Sequence, residues 1–173
     1  MSDKILVAYA TRYGSTQEVA EFIADTLRSG GLEVTVQAMK DVPSLADSGM
    51  IVLGAPLFIG KWPKDVHQFL SRHQAALSER PVALFTLGPT STEAADMAGS
   101  REQFAQQLGQ YPWLKPVAQE VFVGKYDPAK LRFPMSLLIK LPASPLHDAP
   151  ATDNRDWDAI RAWAEALLPT PEA

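Results

Sequence analysis

The sequence predicts an α/β protein whose parallel sheet is covered by helices on both faces. Three observations predict it. Apolar strand-like runs alternate with segments of helical periodicity along the chain. "MIVLGAP" is wholly apolar and "KILVAY" and "PVALFTLG" nearly so, which suits strands buried on two faces. Three loops of unusual sequence, 10–16, 55–62 and 86–96, each follow a strand. In such sheets ligands sit beyond the carboxyl ends of the strands, where the strand order reverses. Right-handed crossovers leave few other arrangements.

The elements follow in order. "KILVAY", residues 4–9, reads as a buried strand. Val19, Phe22, Ile23 and Leu27 then recur at helical spacing, predicting a helix over 15–29 that Ser29, Gly30 and Gly31 stop. "LEVTVQAM" alternates apolar and polar residues, the pattern of a half-covered or edge strand. "MIVLGAP" is a wholly apolar strand. "KDVHQFLSRHQAAL" places Val66, Phe69, Leu70, His73 and Leu77 on one helical face. "PVALFTLG" is another buried strand, and 97–109 is helical with Phe104 and Leu108 inward. "VAQEVFVGKY" is the fifth strand, and "RDWDAIRAWAEALL" a closing helix that Asp153 or Asn154 can cap. With no internal repeat or linker, residues 1–173 are expected to form one domain.

Composition narrows the function. Apolar residues make up 46% and charged residues 21% of the chain, the balance of a globular protein. A net charge of −4 gives no basic excess to mark nucleic acid as a partner. Without cysteine there is no disulfide, thiolate metal site or cysteine nucleophile. The three histidines form no spaced metal cluster with carboxylates. "MSDKILVAYATRYG" lacks a basic leader with an apolar segment, and no apolar run approaches the roughly 20 residues of a membrane span. A cytoplasmic protein is expected, its oligomeric state open.

The first loop points to a phosphate. A helix start carries unpaired backbone N–H groups and a partial positive charge, a ready anion site. Gly14 permits close approach or a positive φ, and the hydroxyls of Thr11, Ser15 and Thr16 add donors at short reach. Such a loop needs neither metal nor lysine. It lacks the Gly-Lys-Ser/Thr ending of a Walker A loop and the several glycines of a dinucleotide fingerprint. A single terminal phosphate, as on a mononucleotide, fits best. The plainer alternative is that Ser15 caps the helix and the threonines are turn residues.

"TRYGST" resembles the phosphate-loop signature of the flavodoxin family, Thr/Ser-x-Thr/Tyr-Gly-Asn/Ser-Thr, and it stands where that family has it, directly after the first strand. The resemblance covers nearly the whole chain. It implies a flavodoxin-like three-layer sandwich, a five-stranded parallel sheet of order 2-1-3-4-5, binding FMN. By that likeness Thr11, Arg12, Tyr13, Gly14, Ser15 and Thr16 wrap the ribityl phosphate. "APLFIGKW" corresponds to the second flavin loop, bringing Pro56, Leu57, Phe58, Ile59 and Gly60 to the ring. "TLGPTS" corresponds to the third, with Thr86, Leu87, Gly88 and Pro89.

Within the family the chain is similar to the menaquinone-dependent protoporphyrinogen dehydrogenase branch. Three features carry this: Thr11-Arg12 in the first loop, "GAPLFIG" in the second, and "RFPMSLLIKL" followed by "ATDNRDWDAIRAWA". Tyr13 stands where that branch usually has an acidic residue, and prolines in "PASPLHDAP" break the tail segment. The resemblance implies an FMN-dependent oxidoreductase passing electrons or hydride through flavin N5, from a reduced organic substrate such as a porphyrinogen to a quinone-like acceptor. The alternatives are an electron carrier serving a protein redox partner and an FMN-binding module without turnover.

Gly60 would let a peptide group turn toward N5, and Phe58 and Trp62 are candidates to pack near the ring; ordinary rim packing is the alternative for both. Leu87, Gly88, Pro89 and Thr90 offer no aromatic ring where electron-carrying flavodoxins usually stack one, so one flavin face is expected to be open. Residues 130–146 set Lys130, Arg132 and Lys140 around Phe133, Met135, Leu137, Leu138, Ile139 and Leu141. Three readings of this stretch stand: a peripheral membrane contact, a cover for a large apolar substrate, or packing onto the sheet edge.

Overall fold

A computed structural model describes residues 2–170. Five strands form one parallel sheet: β1 (Lys4–Tyr9), β2 (Glu33–Ala38), β3 (Met50–Pro56), β4 (Val82–Leu87) and β5 (Ala118–Phe122). Their order is β2-β1-β3-β4-β5, so the chain reverses direction across the sheet after β2. The reversal lies between β1 and β3, where their carboxyl ends diverge into separate loops.

Strand alternation divides the core in two. Leu6, Ala8, Ile51, Leu53 and Leu84 face α2 (Lys64–Arg72), α3 (Gln74–Ser78) and α4 (Ala94–Gly109). Ile5, Val7, Val52, Ala83 and Phe85 face α1 (Ser15–Ser29) and α6 (Trp157–Glu165). Both sets are buried, which is why β3 is apolar throughout and β1 and β4 nearly so, with Lys4 exposed at the start of β1 and Thr86 in β4. β2 is the sheet edge, and its alternation follows from that. Gly54 is required by packing: a Cβ there would lie 2.2 Å from the Phe85 ring.

Four elements differ from the sequence expectation. The segment expected as one helix over 64–77 is broken at His73, whose φ of −108° ends α2 before α3 begins. His73 is buried beside Phe69, their ring centroids 4.7 Å apart. The helix expected over 97–109 starts earlier, at Ala94, and buries Phe104 and Gln107, while Leu108 is only partly covered. The fifth strand is shorter than "VAQEVFVGKY". It leaves the sheet after Phe122, and Lys125–Tyr126 (β6) pair antiparallel with Thr152–Asp153 (β7) in a separate ribbon. The closing helix is capped by Asp156, not Asp153 or Asn154; its carboxylate accepts from the Ala159 N–H at 3.0 Å. Asp153 instead pairs with Arg155.

No residue of 130–146 belongs to either core cluster. A four-residue helix, α5 (Met135–Leu138), lies in the stretch between β6 and β7. Among the described residues no helix is long and apolar enough to cross a membrane.

Candidate functional site

The carboxyl ends of β1, β3 and β4 converge on one rim, where backbone hydrogen bonds tie the loops together. Ala10 N–H donates to Gly54 O at 2.9 Å, Leu57 N–H to Leu87 O at 2.9 Å, and Gly88 N–H to Phe122 O at 2.8 Å. Between the loops lies a cavity of about 320 Å3, a volume ordinary for small-molecule sites.

The first loop has the backbone geometry that an anion site requires. Gly14 has φ 91°, a left-handed residue at the helix start, and its N–H donates to Thr11 Oγ1 at 2.9 Å. The first intrahelical bond runs from Glu18 N–H to Gly14 O. The N–H groups of Ser15, Thr16 and Gln17 therefore precede the ladder and are free to donate outward. No side chain caps this helix, so Ser15 is its first residue rather than its cap.

The second loop turns tightly. Phe58 and Lys61 exchange backbone bonds of 2.9 and 3.1 Å across Ile59 and Gly60, whose φ values are 49° and 71°. Two positive φ values are the mark of a primed hairpin turn. For a β-branched residue this is a strained conformation, and Ile59 is also 79% exposed. Arg12 links the first two loops, its Cζ lying 3.8 Å from the centroid of the Phe58 ring.

The sequence-predicted residues divide by position. Thr11, Arg12, Tyr13, Ser15 and Thr16, then Pro56, Leu57, Phe58 and Ile59, then Leu87, Gly88 and Pro89 line the cavity. Gly14 and Gly60 shape the turns behind that lining. Thr86 is fully buried, and its hydroxyl is spent on Ala55 O at 2.6 Å, so it braces β4 against β3. Trp62 is not at the ring site. It is a core residue, edge-on to Phe104, with its backbone N–H donating to Gln107 Oε1 at 3.1 Å.

Sequence reasoning missed the last wall. Gly124, Lys125, Tyr126 and Asp127 line the cavity, as do Leu131, Met135 and Leu146 from the stretch above it. An interrupting glycine in "VFVGKY" was the available signal, since glycine inside a strand pattern often marks a break. The third loop itself carries no ring, but Tyr126 brings one to the same cavity.

The wall is held by an ion cluster. Arg155, buried and 4.7 Å above the Trp157 ring, binds Asp153 at 2.6 Å and Glu18 at 2.7 Å. Its guanidinium also reaches Ser15 O at 3.5 Å. The hydrogen bonds from Arg155 hold the Asp153 carboxyl below its usual range. Asn154 Nδ2 donates to Thr90 O at 2.7 Å, pinning the ribbon to the third loop.

A doubly wound sheet of this order, with an anion cradle at its switch point and an apolar cavity beside it, defines a mononucleotide-binding α/β protein. The comparisons agree. The model of the flavodoxin domain family matches residues 6–153, and the chain belongs to that family. Protoporphyrinogen IX dehydrogenase [quinone] of Escherichia coli (strain K12) is 20% identical over 174 residues, covering 95% of this chain and 94% of that protein. A short-chain flavodoxin associated with a bacterial microcompartment superposes with a TM-score of 0.61 at 18% identity, over 97% of each chain. Flavodoxin 2 of Bacillus cereus gives 0.51 at 27% identity, over 68% of this chain and 83% of its own. Membership implies FMN as the cofactor.

The residues present fit that group. The left-handed Gly14 and the N–H groups that precede the α1 ladder would cradle a phosphate dianion. The carboxylate of the lining residue Asp127 is turned to the Ala129 N–H at 3.0 Å. Apolar side chains of Leu57, Leu87, Leu131 and Met135 suit a flat aromatic ring.

Proposed function

We propose that this protein holds FMN in the rim cavity and oxidises an apolar organic substrate, of the porphyrinogen class, at the expense of a quinone-like acceptor. The observation that carries the proposal is the apolar cover: Leu131, Met135 and Leu146 lie over the cavity beside the cofactor loops. A carrier that hands electrons to a protein partner needs an accessible edge; a protein that turns over an apolar small molecule needs an apolar chamber. The likeness to the E. coli dehydrogenase along 95% of this chain supports the same reading.

In this reading Thr11 to Thr16 bind the phosphate, and Pro56 to Gly60 with Leu87 to Pro89 orient the ring. The bound flavin supplies the redox chemistry. The chain's own part is to bind, to orient and to exclude water. Anaerobic mixing of the FMN-loaded protein with a reduced porphyrin and a soluble quinone should give porphyrin fluorescence only when all three are present. No turnover with any such pair, beside fast exchange with a one-electron protein carrier, would replace this reading with that of an electron carrier.

The outer surface of the same stretch supports a peripheral membrane contact from the cytoplasmic side, where an apolar quinone would be met. Phe133, Leu137, Leu138 and Leu141 are exposed there, among the exposed Lys130, Arg132 and Lys140. Basic residues around an apolar surface suit an anionic interface. The protein should float with anionic vesicles, and a Leu137→Ser/Leu138→Ser variant should not. If the unaltered protein stays at the bottom, the membrane contact is dismissed.

A further inference from the structure

Three buried side-chain polar atoms have no hydrogen-bond partner among the described residues: Trp62 Nε1, His73 Nε2 and Tyr126 Oη. Trp62 and His73 do not line the rim cavity. Tyr126 does, while only 9% of it is exposed. A buried hydroxyl left unmade forfeits the water it gave up on folding, a loss that native proteins rarely leave in place without a use.

The backbone around Tyr126 is fixed from several sides, so the ring has little freedom to swing out to solvent. Gly124 N–H donates to Pro89 O at 2.7 Å, and a Cβ on Gly124 would lie 3.2 Å from Gly88 O. Tyr126 pairs with Thr152, and the neighbouring pair Lys125–Asp153 ends in the Arg155 cluster. The ribbon is thus locked between the third loop and the start of α1, and Tyr126 on it lines the cavity between them.

We infer that Tyr126 is a cofactor-binding residue whose hydroxyl hydrogen-bonds bound FMN. The inference rests on the FMN reading above and extends the site beyond the three loops that the sequence suggested. The partner group reaches the cavity on a two-residue strand that belongs to a separate ribbon, not to the main sheet.

Tyr126→Phe removes the hydroxyl and keeps the ring. FMN affinity is measured by quenching of flavin fluorescence, and the melting temperature of the FMN-free protein is measured alongside. The variant should bind FMN about tenfold more weakly, the worth of one hydrogen bond to a bound ligand. Its FMN-free form should melt at the same temperature or higher, because a buried unpaired hydroxyl is gone. Affinity within twofold of the unaltered protein overturns the inference. So does a lower melting temperature without FMN, which would mean that the hydroxyl already has a protein partner. If the unaltered protein itself fails to quench FMN, it is the FMN reading that falls.

Discussion

Gly14 carries the sharpest test of the anion cradle. Its φ of 91° lies in the left-handed region, and a Cβ placed on it would meet nothing within 4 Å. Gly14→Ala therefore meets no steric clash, and its whole cost is conformational. A left-handed conformation costs an L-residue roughly 1–2 kcal/mol. For a domain of this size each kcal/mol shifts the melting temperature by about 2–4 °C, so the FMN-free variant should melt about 2–8 °C lower. Gly14→Asn should lose much less, because asparagine tolerates this region. FMN affinity should follow the same ranking, since a loop that relaxes to negative φ re-aims the Ser15 and Thr16 N–H groups. Calorimetry of the FMN-free proteins and fluorescence titration measure both. If Gly14→Ala melts with the unaltered protein, the left-handed start of α1 is not a requirement, and the cradle argument loses its basis.

Two further outcomes concern the walls of the site and its pH range. Arg155→Met should lower stability by about 1–2 kcal/mol in urea titration, less than a fully buried pair would lose, because Glu18 and Asp153 are about two-fifths exposed and can rehydrate. Because the folded Asp153 pKa lies below its ordinary 3.8, the stability it adds is complete above that value and is lost as pH falls through the folded pKa; Arg155→Met should flatten this acid limb, and an unchanged midpoint and limb would show the cluster to be inert. Burial holds the His73 imidazole below its ordinary 6.5, so below that pH the unfolded chain takes up a proton that the folded chain refuses. Stability should fall as pH drops through this window and level off below the folded pKa, and His73→Leu should lose that component. Equal slopes in the two proteins between about pH 7 and about pH 5 would refute a buried neutral imidazole.

The sheet and the left-handed glycine turn that opens α1 were legible because their causes are local. β3 is apolar throughout and β1 and β4 nearly so, the composition that burial on both faces favours. "TRYGST" combines a glycine that can turn left-handed with the first free N–H groups of a helix, all within six residues. The rest depended on residues far apart in the chain. Thr86 is read from sequence as a loop hydroxyl, yet Ala55, thirty-one positions earlier, consumes it. Trp62 is read as a rim aromatic, yet Phe104 and Gln107 draw it into the core. His73 fits a helical face by spacing, but burial against Phe69 coincides with the break between two helices.

By itself, then, the sequence determined the α/β layering, the strand runs and the glycine turn that opens α1, because periodicity, glycine and helix ends act over a turn or a strand. Only the tertiary structure decided the fourth wall. Tyr126 enters the cavity because Gly124 leaves the sheet, Lys125 and Tyr126 pair with a strand some 27 residues later, and Arg155 clamps that strand to a helix start 140 positions away. Such pairings are set by the closure of the whole chain, and no local pattern of residues encodes them.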